Sequence, residues 1–229
     1  MNNILCHLIR HYINPPFCVS RNIHNASIAA SKYDEYKKYR LLGKLNKELK
    51  LNYTQNELYN LEKLFLHREK LNSLPESIGQ LHNLQELYLY YNKLTILPES
   101  IGQLHNLQKL DLNYNKLNSL PESIGKLHNL QKLFLHNNEL SSLPESIGQL
   151  QNLQLLFLNN NKLSSLPESI GQLHNLKRLD IYSNDYLHSL PESIGQLQNL
   201  HEIYINKRQW HIINENIQQN SRIRIIDCF

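Results

Sequence analysis

An α/β repeat solenoid is the fold class that the sequence predicts, and three observations predict it. The Leu-Pro step falls at Leu74, Leu97, Leu120, Leu143 and Leu166, each 23 residues after the last, and at Leu190 after 24. Within each unit an alternating apolar stretch gives way to apolar residues at helical spacing. The 229 residues hold only 7 Gly and 5 Phe while Leu and Asn return at fixed intervals, so the period is read before any domain count.

In chain order, residues 1–33 contain no acidic side chain and carry Arg10, Arg21 and Lys32, which reads as a flexible basic segment. Residues 34–50, DEYKKYRLLGKLNKELK, place Leu42, Leu45 and Leu49 on one helical face. That helix is an expected N-terminal cap, because the end of a stacked sheet exposes an edge that must be covered. Residues 51–229 form the repeat domain. Its strand segments begin at Leu61, Leu84, Leu107, Leu130, Leu153, Leu176, Leu200 and Ile223, so about eight repeats are expected, the first and last degenerate. Thr54-Gln-Asn-Glu57 is a capping box that opens a short helix in the first of them.

A regular unit begins with strand alternation, as in Leu87-Tyr88-Leu89. LPESIGQLHN follows, with Pro at the start of a short helical turn, where its missing N–H costs nothing. One unit has too few apolar side chains to offset the entropy of ordering its backbone, so burial is completed only by stacking neighbours. The column Asn92, Asn115, Asn138, Asn161, Asn184 stands where the strand ends and the chain turns inward. A side-chain amide there can donate to and accept from the backbone of adjacent turns, forming a ladder. Glu69 and Arg208 replace Asn in the outer repeats, where the ladder is expected to stop. Trp210 and the IRIID segment are expected to close the far end, with Cys228 in a buried Leu position.

Charge and cysteine content narrow the function. Residues 1–50 hold nine Lys/Arg against three Asp/Glu, whereas residues 51–229 hold fifteen against seventeen. The repeats are therefore near neutral, and no global attraction to nucleic acid is expected. Cys6, Cys18 and Cys228 cannot build a disulfide framework and form no CxxC pair. His7, Arg10 and His11 interrupt the stretch that a secretory signal would need apolar, and no apolar run reaches the length of a membrane span. A reducing, cytoplasmic setting fits; mitochondrial import through the acid-free head is the alternative, interrupted by Asn14-Pro15-Pro16. Nucleic-acid or membrane-surface association through that head is a further alternative function.

The segments LxxLxLxxNxL and LPESIGxLxNL, recurring in register, resemble leucine-rich repeat proteins, and within them the intracellular Ras-group-like class. The resemblance covers residues 51–229. It implies a curved leucine-rich repeat solenoid with parallel strands on the concave face and short helical or 3-10 segments on the convex face. It also implies a non-catalytic scaffold that binds a protein partner, often in small-GTPase signalling.

Core positions hardly change between copies, so information must sit at the exposed strand positions. The position between paired leucines reads Phe65, Tyr88, Asp111, Phe134, Phe157, Asp180, Tyr204. Aromatic side chains on a solvent-facing sheet serve as interface anchors, or pack on one another and stiffen the sheet. Lys109, Lys132 and Arg178 lie two residues before this column, and His136 and Tyr182 two residues after. These twelve residues form the expected protein-binding face, for a chain read as a monomer. No catalytic, cofactor or metal residue is expected. The convex His82, His105, His128 and His174 are copied text on a face where columns diverge. Asp111 and Asp180 stand three strands apart, about 14 Å at the usual spacing, beyond the roughly 5–9.5 Å of glycosidase pairs. No P-loop, HExxH, GxSxG or kinase motif appears.

Overall fold

The computed structural model of the protein describes residues 23–213 and 215–228. What was read for residues 1–22 lies outside them. One parallel sheet runs β1 (Lys63–Phe65), β2 (Glu86–Tyr88), β3 (Lys109–Asp111), β4 (Lys132–Phe134), β5 (Leu155–Phe157), β6 (Arg178–Asp180), β7 (Glu202–Ile205) and β8 (Arg224–Asp227), in sequence order. Register follows the period, pairing Leu87 with Leu110 and Leu110 with Leu133. The expected α/β leucine-rich repeat solenoid is what forms.

Each LPESIG segment becomes a 3-10 helix on the side of the unit opposite the sheet: η1 (Glu76–Gln80), η2 (Glu99–Gln103), η3 (Glu122–Lys126), η4 (Glu145–Gln149), η5 (Glu168–Gln172) and η6 (Glu192–Gln196). The residue before each is an extended proline whose carbonyl accepts the first turn's bond, as Pro121 accepts from Ile124 at 3.0 Å. Between sheet and 3-10 layer the leucines and isoleucines form one continuous core, with Leu110, Leu112, Ile124 and Leu127 fully buried.

Close stacking of the 3-10 layer rests on glycine. A Cβ on Gly125 would stand 2.5 Å from the carbonyl oxygen of Ser146 in the next unit. Ser100, Ser123 and Ser146, which face Gly79, Gly102 and Gly125, are buried, and their Oγ atoms and that of Ser169 have no hydrogen-bond partner. A small side chain is what the position requires, not a hydroxyl. Ser123→Ala should therefore leave the melting midpoint unchanged or raise it slightly, because removing a buried hydroxyl without a partner costs nothing.

Helix α1 (Ile23–Glu48) begins ahead of the expected boundary at residue 34, so residues 23–33 are helical where a flexible segment was expected. The stretch HNASIAASK has no Gly or Pro to stop a helix and several good helix formers. Leu42, Leu45 and Leu49 are buried in the common core, and Ser77 Oγ donates to Glu48 at 3.1 Å. Glu48 thus meets Ser77 of η1 through its hydroxyl, where Glu76 meets the equivalent Ser100 of η2 through its backbone N–H at 3.1 Å. Helix α2 (Gln55–Tyr59) opens with the reciprocal Thr54–Glu57 capping pair, Thr54 N–H donating to Glu57 at 2.6 Å.

At the far end the structure differs from expectation. Trp210, in η7 (Lys207–Ile212), is 47% exposed and covers little; Ile212, Ile213 and Ile217 are buried there instead, beside Gln209, with Ile217 on α3 (Glu215–Gln219). Cys228 is only partly buried. The extra residue of the 24-residue unit is taken up in a turn at Asp185–Tyr186, closed by Leu187 N–H to Asn184 O at 3.0 Å.

Candidate functional site

The Asn column sets the edge of the sheet face. Asn138 Nδ2 donates to Leu112 O and Leu135 O, each at 3.0 Å, and its Oδ1 accepts from Leu117 N–H at 3.0 Å. Asn92, Asn115, Asn161 and Asn184 repeat the pattern. The ladder does not stop at Arg208 as expected. Gln209, one residue later and one methylene longer, is buried and donates to Ile181 O at 3.2 Å and Asn184 O at 3.3 Å.

Strand register brings the expected site residues into columns. Phe65, Tyr88, Asp111, Phe134, Phe157, Asp180 and Tyr204 are consecutive partners across β1 to β7, and so are Lys63, Glu86, Lys109, Lys132, Leu155, Arg178 and Glu202. Their environments differ along the array.

At the β1–β2 end the rings stack. Phe65 and Tyr88 are parallel with centroids 4.7 Å apart, and His67 lies on Tyr90 at 4.6 Å. Phe65 remains 55% exposed, so self-packing and solvent exposure coexist. Tyr88 donates its hydroxyl to Glu86, which Lys63 also holds at 2.8 Å. That bond, aided by burial, pushes the Tyr88 phenol up to about 12 and keeps it protonated.

In the middle, Phe134 and Phe157 pack edge to face at 5.0 Å. Lys109 lies over Tyr88 at 4.5 Å and over Phe134 at 5.3 Å, while Lys132 stands exposed beside them. His136 is half-buried, and burial holds its imidazole below the usual range, toward the neutral form. Asp111 accepts from Asn113 N–H at 3.2 Å, yet burial raises its carboxyl above the ordinary range, more than Asn113 and Lys109 lower it. A raised folded-state value means that the ionised group costs stability at neutral pH, and the cost disappears as pH falls below the unfolded-state value. Asp111→Asn should thus melt higher than wild type at pH 7, with the two curves converging near pH 3.

At the β6–β7 end, Asp180 is 4% exposed and cannot itself meet a partner, contrary to its place among the expected contacts. Burial also raises its carboxyl, with Arg178 opposing. It grips Arg178 through two bonds of 2.8 and 2.9 Å, and the guanidinium lies 3.7 Å from the Tyr204 ring and 4.7 Å from Phe157. The reason is geometric: an acid two residues after an arginine on one strand shares its face, so the pair closes within the chain. Tyr182 is half-buried near this clamp.

Two features escaped sequence reasoning. Tyr91 and Tyr114 occupy the turn after the strand in the left-handed conformation, φ 57° and 55°, where other units carry Asn137, Asn160 and Ser183. A bulky residue there costs about 1 kcal/mol relative to a permissive one. The two rings nevertheless stack at 4.2 Å and stay 44% and 40% exposed, with Arg68 over the first at 5.1 Å. The second feature is a flank ladder. Asn83, Asn106, Asn129, Asn152, Asn175 and Asn199 each donate to a carbonyl of the preceding unit at 2.7–2.8 Å. The repeated HN and QN pairs were the available signal.

Among the described residues no group of three or more His, Cys, Asp or Glu could hold a metal ion, and no helix is long and apolar enough to cross a membrane. The fold and the patterned sheet face define a solenoid repeat protein. Residues 40–138 match the family described as leucine-rich repeat region, and residues 128–185 and 175–197 match two leucine rich repeat families. The chain belongs to the leucine-rich repeat proteins.

Solved structures agree. A leucine-rich repeat protein of Leptospira interrogans is 34% identical at a TM-score of 0.53, over 80% of this chain and 57% of that one. The leucine-rich repeat ectodomain of the plant membrane receptor kinase GASSHO1/SCHENGEN3 from Arabidopsis thaliana, in complex with Casparian strip integrity factor 2, is 25% identical at a TM-score of 0.54, over 72% and 24%. The functional domain of InlJ from Listeria monocytogenes, which includes a cysteine ladder, shares the fold at 21% identity and a TM-score of 0.61, over 75% and 40%. The chain thus spans less than two thirds of each of these structures' chains. None of the curated proteins compared with it matches.

Proposed function

We propose that the chain is a non-catalytic protein-binding module whose sheet face takes the partner. The observation that carries this reading is the aromatic column on the free face of an otherwise leucine-locked array, with Phe65 more than half exposed on its stacked neighbour and Tyr88, Phe134, Phe157 and Tyr204 half-buried. Large rings left in water at the free face of a sheet are the side chains that anchor interfaces. The Arabidopsis ectodomain, solved in complex with Casparian strip integrity factor 2, supports the same use of the fold. Phe134 and Phe157 stand at the centre of the face, with Lys109, Lys132 and Arg178 around them. Following the Ras-group resemblance, the partner is a cytoplasmic signalling protein such as a small GTPase, met by a monomer.

Affinity capture tests this, with wild type beside a Phe134→Glu, Phe157→Glu double variant that still melts cooperatively. A partner held by wild type and lost by the variant is the expected result. Equal capture by both would remove the function from the sheet face.

A further inference from the structure

Building on that reading, we propose that the partner presents an acidic segment, which lies along the turn edge of β1 to β3 and crosses the sheet face at β4. The near-neutral repeat domain hides a division of charge. Each of the six 3-10 helices from η1 to η6 carries one glutamate, and Lys126 is the only basic residue among them. On the opposite side, Arg68, Lys93, Lys109, Lys116 and Lys132 form no ion pair among the described residues. Of the acids near them, Glu86 is committed to Lys63 and Tyr88, Asp111 to the Asn113 backbone and Glu139 to Lys162, while the exposed Glu69 is flanked by Arg68 and Lys70 and leaves the edge net positive.

Two more observations place the segment. Cations alternate with rings, Arg68 over Tyr91 and Lys109 between Tyr88 and Phe134, so carboxylates and apolar side chains would find partners at neighbouring positions. The tyrosines at 91 and 114 hold a conformation that Asn fills at 137 and 160, and they widen the aromatic surface from the strands onto the turn. Backbone strain retained under exposed rings marks a surface kept for contact. The charge division adds steering, since an acidic partner is attracted to this side and repelled by the glutamates of the other. Nucleic acid fits less well, because Tyr91 and Tyr114 give one face to each other while Arg68 lies over the Tyr91 ring and His136 packs edge to face on Tyr114, which leaves little open ring face for a base.

A displayed library of random peptides, panned on the full chain, tests the proposal. Peptides enriched in Asp and Glu with at least one aromatic residue are expected. They should bind about tenfold more weakly when salt is raised well above physiological strength. Lys109→Glu, Lys132→Glu should shift the selected peptides toward Lys and Arg. Tyr91→Asn, Tyr114→Asn should keep the fold, since Asn already fills that turn elsewhere, while weakening the acidic peptides. Selected peptides without acidic bias that are still lost on Phe134→Glu, Phe157→Glu would overturn the acidic partner and leave the binding face standing. No enrichment over that variant would overturn both, and tighter binding of a single-stranded oligonucleotide than of any acidic peptide would overturn the choice of partner.

Discussion

Asn138→Leu is expected to lower stability by about 2–4 kcal/mol, although it exchanges a polar side chain for an apolar one in a leucine core. The size follows from the groups left behind. Leu117 N–H, bonded to Asn138 Oδ1 at 3.0 Å, would lose its partner in a buried place. A buried donor without a partner costs about 1–3 kcal/mol. The two carbonyls served by Nδ2 lose only half their bonding. Leu112 O keeps Asn115, and Leu135 O keeps Asn161, each at 3.0 Å. That sharing is what makes the column a ladder: each carbonyl is held by its own unit's Asn and the next. Chemical denaturation of Asn138→Leu beside Asn129→Ala checks it. Asn129 lies exposed on the flank with a single bond of 2.8 Å, and its loss should cost less than about 1 kcal/mol. Equal small losses for both would contradict the ladder.

Gly125→Ala should be costlier, about 3–5 kcal/mol, the upper part of what single substitutions do. The added methyl would meet Ser146 O at 2.5 Å and Ser146 Cβ and Gln149 Oε1 at 2.8 Å. The first is backbone, so it cannot turn aside as a side chain would. Relief requires η3 and η4 to part, which loosens Ile124 and Leu127 against Ile147 and Leu150, all fully buried. In an array held by nearest-neighbour interfaces, a gap in the middle leaves two short arrays with poor ends. Gly43 is the natural control: its Cβ would meet only Gln55 Nε2 at 3.5 Å, within a helix. Gly43→Ala should therefore stabilise by about 0.5–1 kcal/mol. Melting curves that place Gly125→Ala within about 1 kcal/mol of wild type would refute the close stacking.

The fold was legible because one period wrote it repeatedly. Leu110 and its equivalents, the Asn column and the Pro before each helical turn recur at fixed offsets, so each copy confirmed the others. Legibility failed where the period broke. Gln209 continues the ladder from a position shifted by one residue, so alignment pointed to Arg208. Trp210 looked like a closing residue by size, but its side chain stays exposed while Gln209 and Ile212 of the same turn, with Ile213 and Ile217, bury instead. The face was legible as columns of residues and not as environments. Asp180 and Asp111 read as matching exposed acids, yet one is buried beneath Arg178 and the other half-buried beside Asn113. Tyr91 and Tyr114 passed unread, since a left-handed backbone is not visible in a tyrosine.

The measurement that tests the central claim most directly is site-specific photo-crosslinking in the cell that expresses the protein. A photoreactive residue would replace Tyr88 or Phe157 on the sheet face, or Gln103 or Gln149 on the 3-10 face. Adducts to the same protein from both sheet-face positions and from neither 3-10 position are the expected result. Adducts arising from the 3-10 face, or equally from both sides, would contradict a partner bound on the sheet.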